Sequence, residues 1–159
     1  MQTPLHESAA TFQKMLNDLG YDNEVVQLPS STRTAVEAAE AIGCNVEQIA
    51  KSIIFRLERA NAPLLVVASG KNRIDEAKIE SYIEDTLGKA NAQFVRERTG
   101  FVIGGVPPVG HTEKITTFVD EDLFEYETIW AAAGHPKAVF SLTADELVHM
   151  TGGKVVCVT

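Results

Sequence analysis

With 159 residues and 45% hydrophobic content, the chain is long enough to bury a core without disulfide or metal staples, and it is globular rather than disordered. Its 22 acidic residues outweigh 14 basic ones for a net charge of −8. That balance argues against nonspecific binding along a nucleic-acid duplex, where affinity comes mainly from phosphate neutralisation, but leaves room for a local site holding one end of a nucleic acid. Cys44 and Cys157 are far apart and form no metal or redox pair, so they read as buried small residues in a reducing compartment. The opening "MQTPLHESAATFQKM" lacks a basic segment followed by an apolar one, and runs such as "PLLVVA" are too short to cross a bilayer. A cytoplasmic protein without a membrane partner is expected.

Residues 5–19 carry Phe12, Met15, Leu16 and Leu19 at helical spacing and stop at Gly20. "EVVQL" reads as a short strand ended by Pro29. Thr34 and Glu37 make a capping box that opens a helix through "AVEAAEAI", closed at Gly43, and "VEQIA" adds a helical turn. "KSIIFRLER" is a strand by its β-branched and aromatic content. "NAP" turns the chain into "LLVVAS", apolar on both faces and therefore a central strand. Residues 75–87 read as a helix with Ile79 and Ile83 on one side, and residues 91–98 as a shorter one before Gly100. "TTFVD", "TIWAAA" and "AVFSL" are strands. Thr143 and Glu146 cap a helix through Met150, and "KVVCV" closes the chain as a strand. Strands and helices interleave without strict alternation, which predicts a single α/β domain over residues 1–159 with a mixed β-sheet and surrounding helices.

Three features could carry chemistry. Lys51 falls in line with Ile53, Phe55 and Leu57 on one strand face. Its stem packs on the core with the ammonium in water, or it is a cation beside a pocket. "FVIGGVPPVGH", residues 101–111, suits neither helix nor strand, because Pro107 and Pro108 remove two backbone donors and glycine is costly in a regular element. It is either a rigid turn or a loop whose exposed backbone N–H groups receive a carbonyl or oxyanion. His111 ends that loop, and His135 sits in a second Gly/Pro junction, "AAAGHPKAV". His6 and His149 stand alone. No histidine or cysteine spacing matches a metal site, and no G-x-S-x-G, G-x-G-x-x-G or P-loop is present. Asp75 and Asp120 read as a surface charge and a helix cap rather than as paired acids. If the strand ends before these features meet, lysine, loop and glycine–histidine junction surround one pocket.

"IAKSIIFR", "TGFVIGGVPPVGH", "VDEDL" and "WAAAGHPKAVFSLTADEL" occur in an order and spacing that resemble the YbaK/EbsC family, relatives of the editing domain of bacterial prolyl-tRNA synthetases. The resemblance runs from about Val25 to Val158. It implies the fold of that family and a trans-acting deacylase that hydrolyses the ester of a mischarged small amino acid on tRNA, most often tRNA(Pro). It implies no cofactor, no metal and no covalent intermediate: water attacks, with the terminal ribose hydroxyl assisting. Lys51 becomes the catalytic candidate. Thr34, Gly104, Gly105, Val106, Pro107, Pro108, Gly110, His111, Gly134 and His135 become the substrate-binding candidates, with the Gly104–Pro108 backbone cradling the aminoacyl carbonyl and Gly134 and His135 shaping the amino-acid pocket. His111 stands where other members carry glutamine or another residue, which weakens a catalytic role for it. The implied partners are the tRNA acceptor end and prolyl-tRNA synthetase, not DNA. A non-catalytic module that keeps the pocket and recruits tRNA or a synthetase is the competing reading.

Overall fold

The computed structural model describes residues 4–159. Five helices, α1 (Glu7–Asp18), α2 (Ala35–Ile42), α3 (Glu76–Glu80), α4 (Ala92–Thr99) and α5 (Ala144–Thr151), surround one eight-stranded mixed sheet. The strands are β1 (Val25–Gln27), β2 (Ile49–Leu57), β3 (Ala62–Ser69), β4 (Leu87–Lys89), β5 (Thr116–Asp120), β6 (Ile129–Ala132), β7 (Ala138–Leu142) and β8 (Lys154–Val156). They run in the order β1-β7-β6-β2-β3-β5-β8, with β4 added to β2. The predicted mixed α/β architecture is the one observed. No helix among the described residues is long and apolar enough to cross a membrane.

β3 is the centre, as its two apolar faces require. Leu65 and Val67 join a core covered by Phe12 and Leu16 of α1 and Leu147 of α5. Leu64, Val66 and Ala68 face the opposite core, with Ile79 of α3 and Phe118 of β5. A third, small cluster packs Ala38 and Ala39 of α2 onto Ile49, with Trp130 at its edge. Both N-caps form, with the Thr34 hydroxyl accepting the Glu37 N–H and the Thr143 hydroxyl that of Glu146, each at 3.1 Å. Only at Thr143 is the box reciprocal, as the Glu146 carboxylate accepts the Thr143 N–H at 2.9 Å, whereas Glu37 takes the Thr34 hydroxyl.

The structure corrects three expectations. Residues 75–87 are not one helix: α3 ends at Glu80 and the chain returns as β4, which pairs with β2. The cause is Asp85, whose carboxylate accepts N–H groups from Arg59, Ala60 and Thr86 at 2.7–3.0 Å and ties the segment to the β2–β3 turn. Those backbone donors, Arg59 first, hold its pKa below the ordinary aspartate value. Asp75 caps α3 by accepting the Lys78 N–H, so it is a helix cap rather than a free surface charge. Cys44 and Cys157 are half-buried rather than buried. Asp120 is the expected cap and more: only 1% exposed, it accepts from the Ser69 N–H, the Asn72 amide and the Asp122 N–H.

Candidate functional site

A gap in the sheet makes the site. On its outer edge β2 pairs with β6 at Ile49 and Ala50 and with β4 from Phe55 to Leu57, so Lys51 to Ile54 have no strand beside them there. The loop after α4 approaches this opening. Ile49 to Ile53 with Ile103, Gly104 and Val106 enclose a cavity of about 350 Å³, with Trp130 of β6 and the start of α2 on its other sides. A hollow of about 200 Å³ continues past Ser52, Ile53, Ile103 and Val106 towards Val95.

Lys51 pairs across to Ala68 of β3 and therefore shares its face with Ile53 and Phe55, as the period of two predicts. It is half-buried, lines the cavity and forms no salt bridge among the described residues. Burial holds its pKa below the ordinary lysine value, and the Asp120 carboxylate partly opposes the shift.

The loop exposes less backbone than its composition suggests. Gly105 to Pro108 are buried, and the Gly105 N–H is used by the Val102 carbonyl at 3.0 Å. Gly104 and Val106 are different: both line the Lys51 cavity, and neither N–H has a partner among the described residues. Two unspent donors beside a cation can receive a carbonyl oxygen that becomes negative. Gly104 has φ +91°, and a Cβ there would sit 2.3 Å from Cγ of Arg33, whose stem crosses the loop at this point.

Of the remaining candidates only Thr34 reaches this cavity. Thr34 borders the same cavity, but its hydroxyl is committed to Glu37, accepting the N–H and donating to the carboxylate at 3.0 Å. His111 donates from Nε2 to the Pro107 carbonyl at 2.7 Å, since a carbonyl can only accept, so it fixes the loop from within. Burial lowers its pKa and so favours the neutral ring, while the hydrogen bond to the Pro107 carbonyl pulls the other way. Pro108, Gly110 and His111 border a separate hollow of about 300 Å³. Gly110, Gly134 and His135 border another of about 580 Å³, where His6 and His135 lie ring to ring at 4.2 Å.

The expected single pocket is thus divided. The Gly105 carbonyl accepts the Gly134 N–H at 3.0 Å, and a Cβ on Gly105 would lie 2.9 Å from the His135 carbonyl carbon. Backbone packed on backbone leaves no room for a ligand between Gly105 and the Gly134–His135 segment, so the hollow beside Gly110 is separate from the Lys51 cavity. The junction is the loop's buttress, while Lys51, Gly104 and Val106 share the cavity. Among the lining residues that sequence reasoning passed over are Arg33, Ser52 and Trp130. Trp130 had a signal in being the chain's single tryptophan, set in a strand.

Ser52 gives a test of the cavity wall. Its hydroxyl oxygen is buried without a hydrogen-bond partner among the described residues. Removing an unpaired buried hydroxyl recovers its desolvation cost, so Ser52→Ala is expected to leave the unfolding free energy from denaturant titration unchanged or raise it by up to about 1 kcal/mol. Destabilisation beyond ~1 kcal/mol would show that the oxygen holds a partner such as an ordered water.

A family model described as an aminoacyl-tRNA editing domain matches residues 29–150. The uncharacterised Bacillus subtilis protein YwhH is 33% identical over 134 residues, spanning 84% of this chain and 85% of its own. Enterococcus faecalis EbsC, named as a candidate Cys-tRNA(Pro)/Cys-tRNA(Cys) deacylase, is 21% identical over 127 residues, 79% of this chain and 77% of its own. A crystal structure of a candidate trans-editing enzyme for prolyl tRNA synthetase is similar at a TM-score of 0.92 and 44% identity, over 98% of this chain and 99% of that one.

Proposed function

The chain belongs to the aminoacyl-tRNA editing-domain family and acts as a trans-editing hydrolase of the aminoacyl-tRNA ester, and from that premise we propose that it clears a small wrong amino acid from tRNA(Pro) using the Lys51 cavity. The observation that carries the assignment of the site is the meeting, on the lining of a single cavity, of one half-buried lysine without an ion pair and two loop residues whose N–H groups are unspent.

The chemistry asks little more. An ester already has a competent leaving group, so orientation and a place for the oxyanion can suffice without a nucleophilic side chain. Water adds to the aminoacyl carbonyl carbon, and the oxygen that becomes negative lies against the N–H groups of Gly104 and Val106 with the Lys51 ammonium alongside. The C–O bond to the ribose then breaks. The departing 3′ oxygen takes up the proton released by the water, passed through the neighbouring ribose hydroxyl, and free amino acid and uncharged tRNA leave.

The cavity's size and lining favour a small residue. At about 350 Å³ it is near the lower end of small-ligand sites, and Ala35, Ala38, Ile49, Val106 and Val139 give it apolar walls. Prolyl-tRNA synthetase, the enzyme that produces mischarged tRNA(Pro), is the candidate partner.

A panel of tRNA(Pro) charged with alanine, serine, cysteine, threonine or proline tests this reading. Rapid loss of one or more small wrong esters is expected, with Pro-tRNA(Pro) spared. Binding of the panel without hydrolysis of any member would instead support a recruiting module and overturn the proposal.

A further inference from the structure

The site cavity is lined by two cations, Lys51 and Arg33, and by no aspartate or glutamate, on a chain whose net charge is −8. Lys71 is paired with Glu125 and Arg98 with Glu113, whereas Arg33 has no ion pair among the described residues. Glu37, on the first turn of the adjoining helix, is held by the Thr34 hydroxyl.

Arg33 is exposed, yet its stem has a defined seat. A Cβ on Gly104 would lie 2.3 Å from its Cγ, 3.2 Å from its Cδ and 3.3 Å from its Nε, so the arginine lies flat across the one loop glycine that faces the cavity. The absence of a side chain at Gly104 therefore makes room for Arg33 as well as for the loop's turn.

We propose that Arg33 binds the 5′-phosphate of the tRNA's terminal nucleotide and so registers the ester against Gly104 and Val106. This rests on the deacylase reading above. The amino acid's own carboxyl is esterified, so the anion nearest the reacting carbon is that phosphate, one ribose away. A guanidinium lying across the residue that receives the carbonyl is placed to meet it, and its planar fork matches phosphate oxygens better than an ammonium does. Lys51 then serves the ester and Arg33 serves the nucleotide.

The test compares 3′-aminoacyl-adenosine with its 5′-phosphorylated form on wild type, Arg33→Met and Arg33→Lys. Met keeps an apolar stem over Gly104 and removes the charge, and the unphosphorylated ester reports whether the site is intact. Wild type is expected to prefer the phosphorylated ester by about tenfold in kcat/KM, mostly through KM, as one charge-assisted contact allows. Arg33→Met should erase the preference, with the phosphorylated ester losing about tenfold more than the plain one, and Arg33→Lys should keep part of it. Retention of the full preference in Arg33→Met, or an equal loss on both esters, overturns the proposal. If wild type hydrolyses neither these esters nor intact mischarged tRNA, the deacylase reading is what falls. Titration with AMP and adenosine then decides Arg33 separately: tighter AMP binding that Arg33→Met abolishes supports it, and equal binding of the two refutes it.

Discussion

Lys51→Met is expected to remove roughly 10²–10³-fold of kcat/KM on mischarged tRNA, the scale seen when one group that stabilises a developing oxyanion is lost. The same variant should melt at or above the wild-type temperature. The sign follows from the direction of the pKa shift. Burial lowers the Lys51 pKa in the folded protein below its ordinary value of 10.5, so the folded state holds this proton less tightly than the unfolded chain does. The charged lysine therefore costs stability at neutral pH, and that cost is relieved as pH rises through the folded pKa towards the unfolded one. Methionine fills the same space without the charge. An activity that needs the ammonium should also fall on the alkaline side at a pH below 10.5, read after subtracting the uncatalysed hydrolysis of the ester. Lys51→Arg should not restore the rate, because a planar fork cannot replace a compact ammonium inside an enclosed cavity. Activity of Lys51→Met within about threefold of wild type would remove the lysine from the chemistry, since loss of one group that stabilises a developing oxyanion typically costs about a hundredfold or more.

Lys51 was legible because strand periodicity is local: alternation placed it in the row of Ile53 and Phe55, and the pairing with β3 puts it there. The helix starts were equally local, since Thr34 and Thr143 reach donors three residues ahead. Where the sequence misled, the deciding contact was distant. Asp85 ends the predicted helix by binding N–H groups of Arg59 and Ala60 on another turn, which no window over residues 75–87 contains. The cavity itself depends on where β6 stops beside β2 and where β4 begins, which is a property of three strands together. Arg33 carries no local signal at all, as its meaning comes from lying across Gly104. His111, the residue of the loop that most resembles a catalytic group, is instead bound to the loop's own Pro107 carbonyl. The family resemblance supplied the role proposed for the loop. The structure divides that loop into two residues with unspent N–H groups on the cavity lining, Gly104 and Val106, and a packed contact at Gly105 that fixes where they stand.

Gly105→Ala tests this division, because the residue lines no part of the Lys51 cavity and yet decides where the cavity's wall stands. Its Cβ would lie 2.9 Å from the carbonyl carbon of His135, closer than real Cβ atoms come, and 3.0 Å from its Cα and N, tighter than most Cβ contacts, all made to backbone rather than to a movable side chain. The hydrogen bond from the Gly134 N–H to the Gly105 carbonyl, at 3.0 Å, holds the two segments together and prevents an easy retreat. The loop must therefore shift, and Gly104 and Val106 shift with it on either side. Overpacking of this kind costs about 1–3 kcal/mol of stability. Displacing an oriented donor pair by a fraction of an ångström to an ångström should cost roughly a hundredfold in kcat. The control is Gly152→Ala at the end of α5, where φ is +64° and a Cβ would meet nothing within 4 Å. Backbone strain there should cost ~1–2 kcal/mol as well, with activity per folded molecule unchanged. If the two variants lose activity only in proportion to the folded protein remaining, the loop is a structural corner and its backbone takes no part in holding the ester.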